Sequence, residues 1–224
     1  MLSKKVVIFI VEGITDEISI GDIITKLNKD NKVFFKIVNK DITSDYSSDS
    51  SNILNKINEQ VKKSIGEQHF KKNDIIKIVH LIDTDGAFAD ENSIVHKETK
   101  SVEYDAEHIY TNNVEGIKER NLRKAQILDK LCSTRIINRI PYEVYYFSTN
   151  LEHVLHNIQN AKDNEKQKLA EKFQDAYYDN PEDFIGFIQD EKYAVQGNYA
   201  ETWKFIKKDN NSLKRYTNFN LWFS

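Results

Sequence analysis

The stretch Ile75-Ile76-Lys77-Ile78-Val79-His80-Leu81-Ile82-Asp83-Thr84-Asp85-Gly86 decides the fold. Its apolar part is short, rich in β-branched residues and free of proline and glycine, which is typical of a buried strand in a parallel sheet. The strand runs into two acids separated by one residue. If the strand continues to Asp85, both carboxylates point to the same side, because side chains alternate along a strand. Two such carboxylates repel each other, and a divalent cation between them would relieve that repulsion.

Similar apolar runs lie on either side of this stretch. The pattern predicts a first strand at Lys5 to Val11, a second at Val33 to Val38 and a fourth at Tyr142 to Phe147. Helical spacing predicts helices after the first two strands, one opened by Thr15-Asp16-Glu17 and one over Ser51 to Ile65. The alternation of strands and helices predicts an α/β fold with a mostly parallel four-stranded sheet flanked by helices.

The turn after the first strand carries a further acid. Glu12-Gly13 follows Val11 directly, so Glu12 is placed like Asp83, just beyond the carboxyl end of a strand. Asp16 lies one helical turn later and could face the same point. In open α/β sheets, functional groups collect beyond the carboxyl ends of the strands. We therefore expect Glu12, Asp16, Asp83 and Asp85 to gather at one edge of the sheet.

The remaining sequence divides into two parts. Residues 87–113 are polar and rich in acids, and we interpret them as a long loop or insertion over the site, within a domain of residues 1–160. Val114 to Cys132 reads as a basic helix. Residues 161–224 are predicted to form a helical extension, with helices at Glu165 to Tyr178, Pro181 to Ile188 and Tyr199 to Lys208, and an aromatic tail that docks on the domain.

Composition excludes several classes of protein. The chain has 224 residues and a net charge of −3, so nucleic acid would have to bind a local basic patch. The single cysteine, Cys132, excludes an internal disulfide and a cysteine-based metal site, and we interpret it as a small buried hydrophobe. The apolar run Val6 to Val11 is too short to span a membrane, and Met1 to Lys5 has no cleavage-type flank. We expect a cytoplasmic protein with no membrane partner.

Two motifs together resemble a known family. Glu12-Gly13-x-x-Asp16 and Asp83-x-Asp85-Gly86, each after a strand, are similar to the motifs of the TOPRIM domain found in topoisomerases, primases, OLD nucleases and small RNA-maturation nucleases. The resemblance implies a TOPRIM-like Rossmannoid fold and Mg²⁺, or Mn²⁺ in its place, for phosphodiester cleavage. It implies Glu12, Asp83 and Asp85 as catalytic and metal-binding residues, with Asp16 completing a second metal site. Asp83 and Asp85 would hold one ion, and Glu12 would bridge or act as general base.

A third segment extends the resemblance. Tyr146 to His156 is similar to a strand-then-helix signature of RloB-like proteins, which are stand-alone TOPRIM proteins near anti-phage loci. The effector of the PARIS defence system is a related small TOPRIM nuclease. The likeness implies a defence nuclease that cuts DNA or RNA, and a homodimer is possible. The chain lacks Gly-x-x-x-x-Gly-Lys-Ser/Thr, so any ATPase would be a separate partner.

Family nucleases often add a cation near the metals. The candidates here are Arg120, Arg123 and Lys124, which are also our tentative nucleic-acid-binding residues, or a lysine of the C-terminal helices. An ordinary charged helix face is the alternative reading.

Several residues have plainer readings beside the functional ones. Asp83 and Asp85 also suit a turn after a strand, and Asp16 suits a helix start. We interpret Glu152 as half of a capping box with Thr149, and His153 and His156 as packing or surface residues. Asp90 and Glu91 are read as solvated acids rather than extra ligands.

Two other functions remain open. An apolar strand followed by Asp-x-Asp-Gly also marks haloacid-dehalogenase-type phosphohydrolases, although Ala87 stands where that family usually has threonine, and the motif follows the third strand instead of the first. A TOPRIM-like domain could also be a non-catalytic module that binds an ATPase partner.

Overall fold

The structure is a computed structural model that describes residues 5–38 and 41–224. Outside the described residues lie 1–4 and 39–40, which belong to the expected 1–160 domain. The segment Met1 to Lys5, in which we found no cleavage-type flank, is therefore described only at Lys5. The described strands are β1 (Val6–Val11), β2 (Lys32–Ile37), β3 (Ile75–Asp83), β4 (Ile94–His96), β5 (Glu103–Tyr104), β6 (Ile109–Thr111), β7 (Ile136–Ile137) and β8 (Ile140–Phe147). The described α-helices are α1 (Ile14–Leu27), α2 (Ile53–Gln68), α3 (Val114–Ser133), α4 (Leu151–His156), α5 (Asp163–Tyr178), α6 (Pro181–Ile188) and α7 (Tyr199–Ile206).

The main sheet has the strand order β2-β1-β3-β8-β7. The first four strands are parallel, and β7 pairs antiparallel with β8. The predicted α/β class is therefore confirmed, but within the described residues the sheet is mixed and has five strands instead of four. The extra strand has only two residues and turns into β8 through Asn138 and Arg139, which have φ angles of 50° and 67°. A strand of two residues has no readable periodicity, so the sequence pattern did not predict it.

The chain reverses its direction of travel across the sheet between β1 and β3. From β1 it passes first to β2 on one side, and then to β3 on the other side. Such a reversal leaves a crevice outside the carboxyl ends of the two adjacent strands, where ligands of open α/β sheets bind. Glu12 follows β1, and Asp83 ends β3, so both acids lie at this crevice.

Helices cover both faces of the sheet. Buried residues of α2, α3 and α7 pack on one face, and buried residues of α1, α4, α5 and α6 pack on the other. All six residues of β1 are buried, which explains why it reads as a continuous apolar run instead of an alternating one. β1 and β3 are both internal strands, so the site is built on the middle of the sheet.

Residues 87–113 are more regular than we predicted. They contain a three-stranded sheet in the order β4-β6-β5. This small sheet packs through Ile94 and Ile109 against Ile117 of α3 and against Leu213. Its strands have two or three residues each, too few for an alternating pattern to show in the sequence.

The C-terminal segment packs onto the sheet. The three predicted helices are present as α5, α6 and α7. In the aromatic tail, Phe219 is fully buried, and its ring contacts those of Phe9 and Phe147. Thr217 forms a β-bridge with Phe147. No helix among the described residues is both long and apolar enough to cross a membrane.

Candidate functional site

Two predicted acids from distant parts of the sequence meet at the crevice between β1 and β3. The backbone N–H of Asp83 donates a hydrogen bond of 3.2 Å to Oε1 of Glu12. The contact arises because parallel neighbouring strands end at the same edge of the sheet. The structure therefore brings Glu12 and Asp83 together.

Asp85 lies at the site, but a turn and not the strand positions it, in contrast to our prediction. The strand ends at Asp83, and Asp85 and Gly86 both have left-handed backbone conformations, with φ angles of 48° and 68°. Strand alternation therefore does not orient Asp85. Its N–H donates to the carbonyl of Thr149 at 2.9 Å, and its own carbonyl accepts from Arg120 at 2.8 Å. These bonds fix the turn and leave the Asp85 carboxylate directed toward Lys124.

Lys124 is inside the site and not on an outward basic surface. Its side chain is 0% exposed, and its ammonium lies 2.7 Å from Oδ2 of Asp41 and 2.5 Å from Oδ2 of Asp85. Arg120, one helical turn earlier on the same face of α3, is half-buried and donates to the Asp85 carbonyl and the Tyr104 hydroxyl. Lys124 is thus buried and Arg120 half-buried, beside the carboxylates instead of on an open basic surface, and their role toward nucleic acid stays a prediction.

Arg123, the third predicted cation, contacts the loop after β2 instead of the carboxylates. It donates to the carbonyl of Ser44 at 3.1 Å, and its guanidinium lies 4.6 Å from the ring centroid of Tyr46. It is the one member of the predicted trio that lies at an exposed surface feature, because the Tyr46 side chain is 78% exposed.

Asp41 is a site residue that sequence reasoning missed. It lies shortly beyond the carboxyl end of β2, and its Oδ1 accepts from the N–H and the hydroxyl of Thr43, which closes a tight turn. Its Oδ2 pairs with Lys124. The sequence has an acid shortly after each of the first three strands, and this pattern could have predicted Asp41 as a site residue. Our prediction took only the acids after β1 and β3.

The carboxylates of the site are unequal in their electrostatics. Burial raises the pKa of Glu12 well above its usual value, and the neighbouring Asp41 and Asp83 raise it further. Burial, with the charges of Asp16 and Asp85, likewise raises the pKa of Asp83. For Asp41, burial alone would raise the pKa, but the Lys124 ammonium outweighs it and holds the pKa far below its usual value. Lys124 thus forms ion pairs with Asp41 and Asp85, whereas burial and neighbouring carboxylates disfavour the charged forms of Glu12 and Asp83.

Asp16 serves the start of α1. Its Oδ2 accepts from the N–H groups of Glu12 at 3.1 Å and Gly13 at 2.9 Å. Burial raises its pKa to about 6, against the lowering effect of the Gly13 hydrogen bond. The helix-start reading thus describes its contacts, although its carboxylate also lines a cavity of about 370 Å³ together with Glu12, Asp83, Glu152 and Lys166.

Glu152 is not part of a capping box. The residue that caps α4 is Asn150, whose side chain accepts from the N–H of His153 at 2.8 Å, while Thr149 has a φ of 57°. Glu152 is buried instead, with the Lys166 ammonium 3.6 Å away. The motif pattern failed here because the helix begins one residue later than a Thr149 cap requires.

The other acids and histidines considered have structural contacts. His153 is buried with Nδ1 3.3 Å from the Thr149 hydroxyl, and His156 packs edge-on against Phe173. Asp90 accepts from the N–H of Asn92 at an exposed short helix, and Glu91 is exposed in the same turn.

The central acids lie at the bottom of a cavity of about 680 Å³. Its walls come from two segments: the insertion at residues 101–104 and the chain from Asn150 through the start of α5. The two walls are tied together, because Asn160 donates to the Tyr104 carbonyl at 2.7 Å and accepts from the Tyr104 N–H at 2.8 Å. Lys166 lines both this cavity and the smaller one, so a cation stands where the two meet.

The chemistry of the donors fits a hard divalent cation. Glu12, Asp83 and Asp85 offer oxygen ligands only, and a bound cation would relieve the burial and the mutual repulsion that raise the pKa of Glu12 and Asp83. Within residues 5–38 and 41–224, however, no three His, Cys, Asp or Glu side chains are already grouped as a ligand set. Lys124 accounts for part of this, because it holds Asp85 through an ion pair. Metal binding would therefore compete with the contacts of Lys124.

Comparison of the chain with known protein families, with curated proteins and with solved structures finds no match. The functional interpretation consequently depends on the residues of the site and on their surroundings.

Proposed function

We propose that this protein is a Mg²⁺-dependent nuclease of the TOPRIM type that hydrolyses phosphodiester bonds of DNA or RNA, acting in the cytoplasm as an anti-phage defence effector. One observation carries the proposal. Glu12, Asp41, Asp83 and Asp85 converge from the ends of three neighbouring parallel strands on one cavity, and Asp41 and Asp85 pair with the buried Lys124. Such a concentration of carboxylates at the switch point of a sheet is costly for stability, which favours a functional reason for it.

Each residue has a role in this proposal. Asp83 and Asp85, with Glu12, would hold a Mg²⁺ ion, and Asp16 would contribute to a second. A bound Mg²⁺ supplies charge neutralisation at the phosphate and lowers the pKa of water. Glu12, whose pKa burial raises above its usual value, would be the general base that takes a proton from the attacking water.

The cations of the site act on different partners. Lys124 holds Asp85 in one orientation, through the 2.5 Å ion pair. Lys166 is half-exposed where the two cavities meet, and its nearest partner, Glu152, is 3.6 Å away. An ammonium with such a loose partner is available to a substrate phosphate, so Lys166 is the cation that we expect to contact the scissile group.

The test is metal-dependent cleavage by matched variants. Plasmid DNA, single-stranded DNA and RNA are incubated with the full chain in Mg²⁺, in Mn²⁺ and in EDTA. We expect Glu12→Gln and Asp83→Asn to lose about 10²–10⁴-fold in rate. Asp175→Asn, an exposed acid of α5, is the control and should cleave like the wild type. Full metal-dependent cleavage by Glu12→Gln and Asp83→Asn would contradict the proposal.

Other results would point to the alternatives. Hydrolysis of small phosphate esters that depends on Asp83, without cleavage of nucleic acid, would support a phosphohydrolase. Absence of Mg²⁺ and Mn²⁺ binding by calorimetry would support a non-catalytic module that works with a separate ATPase. Calorimetry on the wild type and Asp83→Asn distinguishes these outcomes, because only the metal-dependent functions require binding that Asp83→Asn weakens.

A further inference from the structure

The loop after β2 carries an exposed aromatic ring. Tyr46 is 78% exposed, more than any other large apolar or aromatic side chain of the described residues. Single exposed hydrophobic residues are common on proteins and need no explanation by themselves. Tyr46 differs because its ring is held in place and because it lies beside the carboxylate site.

The ring is braced from one side. The Arg123 guanidinium lies 4.6 Å from the ring centroid, and the same guanidinium donates to the Ser44 carbonyl at 3.1 Å. The loop backbone is closed on both sides of Ser44, where the Asp41 carboxylate accepts from Thr43 and the Asp45 carboxylate accepts from Ser47, each at 2.7 Å. A ring that is already held loses little conformational freedom when it binds a ligand.

The same loop contacts Asp85, one of the carboxylates of the site. The Ser44 hydroxyl donates to Oδ2 of Asp85 at 3.4 Å, and Tyr46 follows Ser44 by two residues. Two residues of chain span at most about 7 Å, so the Tyr46 backbone lies within that distance of Ser44. Arg123, which contacts the Tyr46 ring, is linked to the same acid, because it immediately precedes Lys124 and Lys124 pairs with Asp85. Tyr46 is therefore placed to contact the nucleotide next to a phosphate bound at Asp85.

The shape of the cavity restricts what can enter. The acids lie at the bottom of a cavity of about 680 Å³ whose walls are joined by the two hydrogen bonds between Tyr104 and Asn160. A third bond, from Gln159 Nε2 to the Asp105 carbonyl at 3.1 Å, strengthens this connection. A paired duplex keeps its bases stacked inside and offers no free base face to an aromatic ring, whereas an unpaired strand does.

We propose, on the basis of the proposed nuclease function, that the substrate is an unpaired strand of nucleic acid and that Tyr46, backed by Arg123, stacks on a base next to the scissile phosphate. The stacking face is the side of the ring that Arg123 does not cover. Every base has such a π-face, so this contact selects unpaired structure and not sequence.

The test compares two exposed tyrosines that each have a cation on the ring. Binding of a short fluorescein-labelled single strand and of the corresponding duplex is measured by anisotropy in EDTA, with DNA and RNA versions of both. Tyr46→Ala is the test variant, and Tyr178→Ala is the control. Tyr178 is 43% exposed with the Lys26 ammonium 3.1 Å from its ring centroid, but it ends α5, at the opposite end of that helix from the cavity.

We expect Tyr46→Ala to bind the single strand at least about fivefold, and up to about a hundredfold, more weakly than the wild type. Tyr46→Phe and Tyr46→Trp should retain binding because they keep the ring, and Tyr178→Ala should bind like the wild type. Equal binding by Tyr46→Ala and wild type, or equal affinity of the wild type for duplex and single strand, would overturn the inference. A wild type that binds no nucleic acid in EDTA would also overturn the stacking inference. The nuclease proposal is tested separately, because it stands if Asp83-dependent cleavage in Mg²⁺ survives any of these results.

Discussion

Replacement of Lys124 by methionine should destabilise this protein strongly, because it removes the buried charge that pairs with both Asp41 and Asp85. The ammonium is fully buried, with carboxylate oxygens at 2.7 and 2.5 Å. Removing one partner of a buried ion pair costs about 3–5 kcal/mol. The Asp41 and Asp85 side chains are 18% and 25% exposed, and solvent reduces the cost of leaving them unpaired, so about 3 kcal/mol is the appropriate figure.

A loss of this size is a substantial part of the stability of an ordinary protein, which is about 5–15 kcal/mol. For a chain of this length, it corresponds to a fall in Tm of about 6–12 °C. Urea unfolding and thermal unfolding of Lys124→Met and wild type at pH 8 measure the difference. Lys130→Met, an exposed lysine of the same helix, is the control and should lie within about 0.5 kcal/mol of the wild type.

The cost should depend on pH. In the wild type, Lys124 holds the folded-state pKa of Asp41 below its unfolded value, so this pair stabilises the protein above about pH 4, and the contribution is lost as the pH falls through the lowered pKa. Without Lys124, burial raises that pKa instead, and Asp41 can take up a proton as the pH falls. The difference between Lys124→Met and wild type should therefore be largest near pH 8 and smaller near pH 5.

A second variant identifies the origin of the effect. In an Asp41→Asn background, Lys124→Met should cost less than in the wild type, because one of the two unpaired charges is already gone. If Lys124→Met unfolds within about 1 kcal/mol of the wild type at pH 8, or if its cost does not change with pH, then Lys124 does not serve as the buried counter-ion.

Two further predictions concern the same edge of the sheet. Glu12→Gln keeps the side-chain oxygen that accepts the Asp83 N–H, and it should stabilise the protein at pH 8. The reason is that burial raises the folded-state pKa of Glu12. The Glu12 carboxyl therefore contributes favourably to stability below about pH 4, and this contribution is lost as the pH rises through the raised pKa. Thermal unfolding should show the gain at pH 8 and little difference at pH 4, and a variant less stable than wild type at pH 8 would refute it. Gly86→Ala should destabilise by about 2 kcal/mol or more in urea unfolding, because φ is +68° and a Cβ would lie 2.6 Å from Leu213 Cδ2 and 2.9 Å from Ile109 Cδ1. Gly66→Ala, in α2 with no atom within 4 Å of the new Cβ, is its control and should stabilise by about 0.5–1 kcal/mol, so equal effects of the two changes would contradict the role of the Gly86 turn.

Glu12 and Asp83 show how much of the site local sequence patterns can predict. Each acid follows an apolar run, and the rule that parallel strands share a carboxyl edge was enough to predict that the two would lie close together. The same rule applies to Asp41, but Asn39 and Lys40 separate this acid from the apolar run in the sequence and hid its relation to the strand. Asp85 was predicted at the site through strand alternation, whereas a left-handed turn is what places it there.

The sequence by itself determined the α/β class, the sequence ranges of most helices and strands, and the position of two acids at strand ends, because each depends on periodicity within a short segment. Only the tertiary structure decided that Lys124 is a buried counter-ion, that Glu152 lines the same cavity as Asp16 and Asp83, and that the loop carrying Tyr46 contacts Asp85 through Ser44. These placements depend on how α3, α4 and the loop after β2 are rotated against the sheet. That rotation is set by packing among residues far apart in the chain, and no local pattern of residues records it.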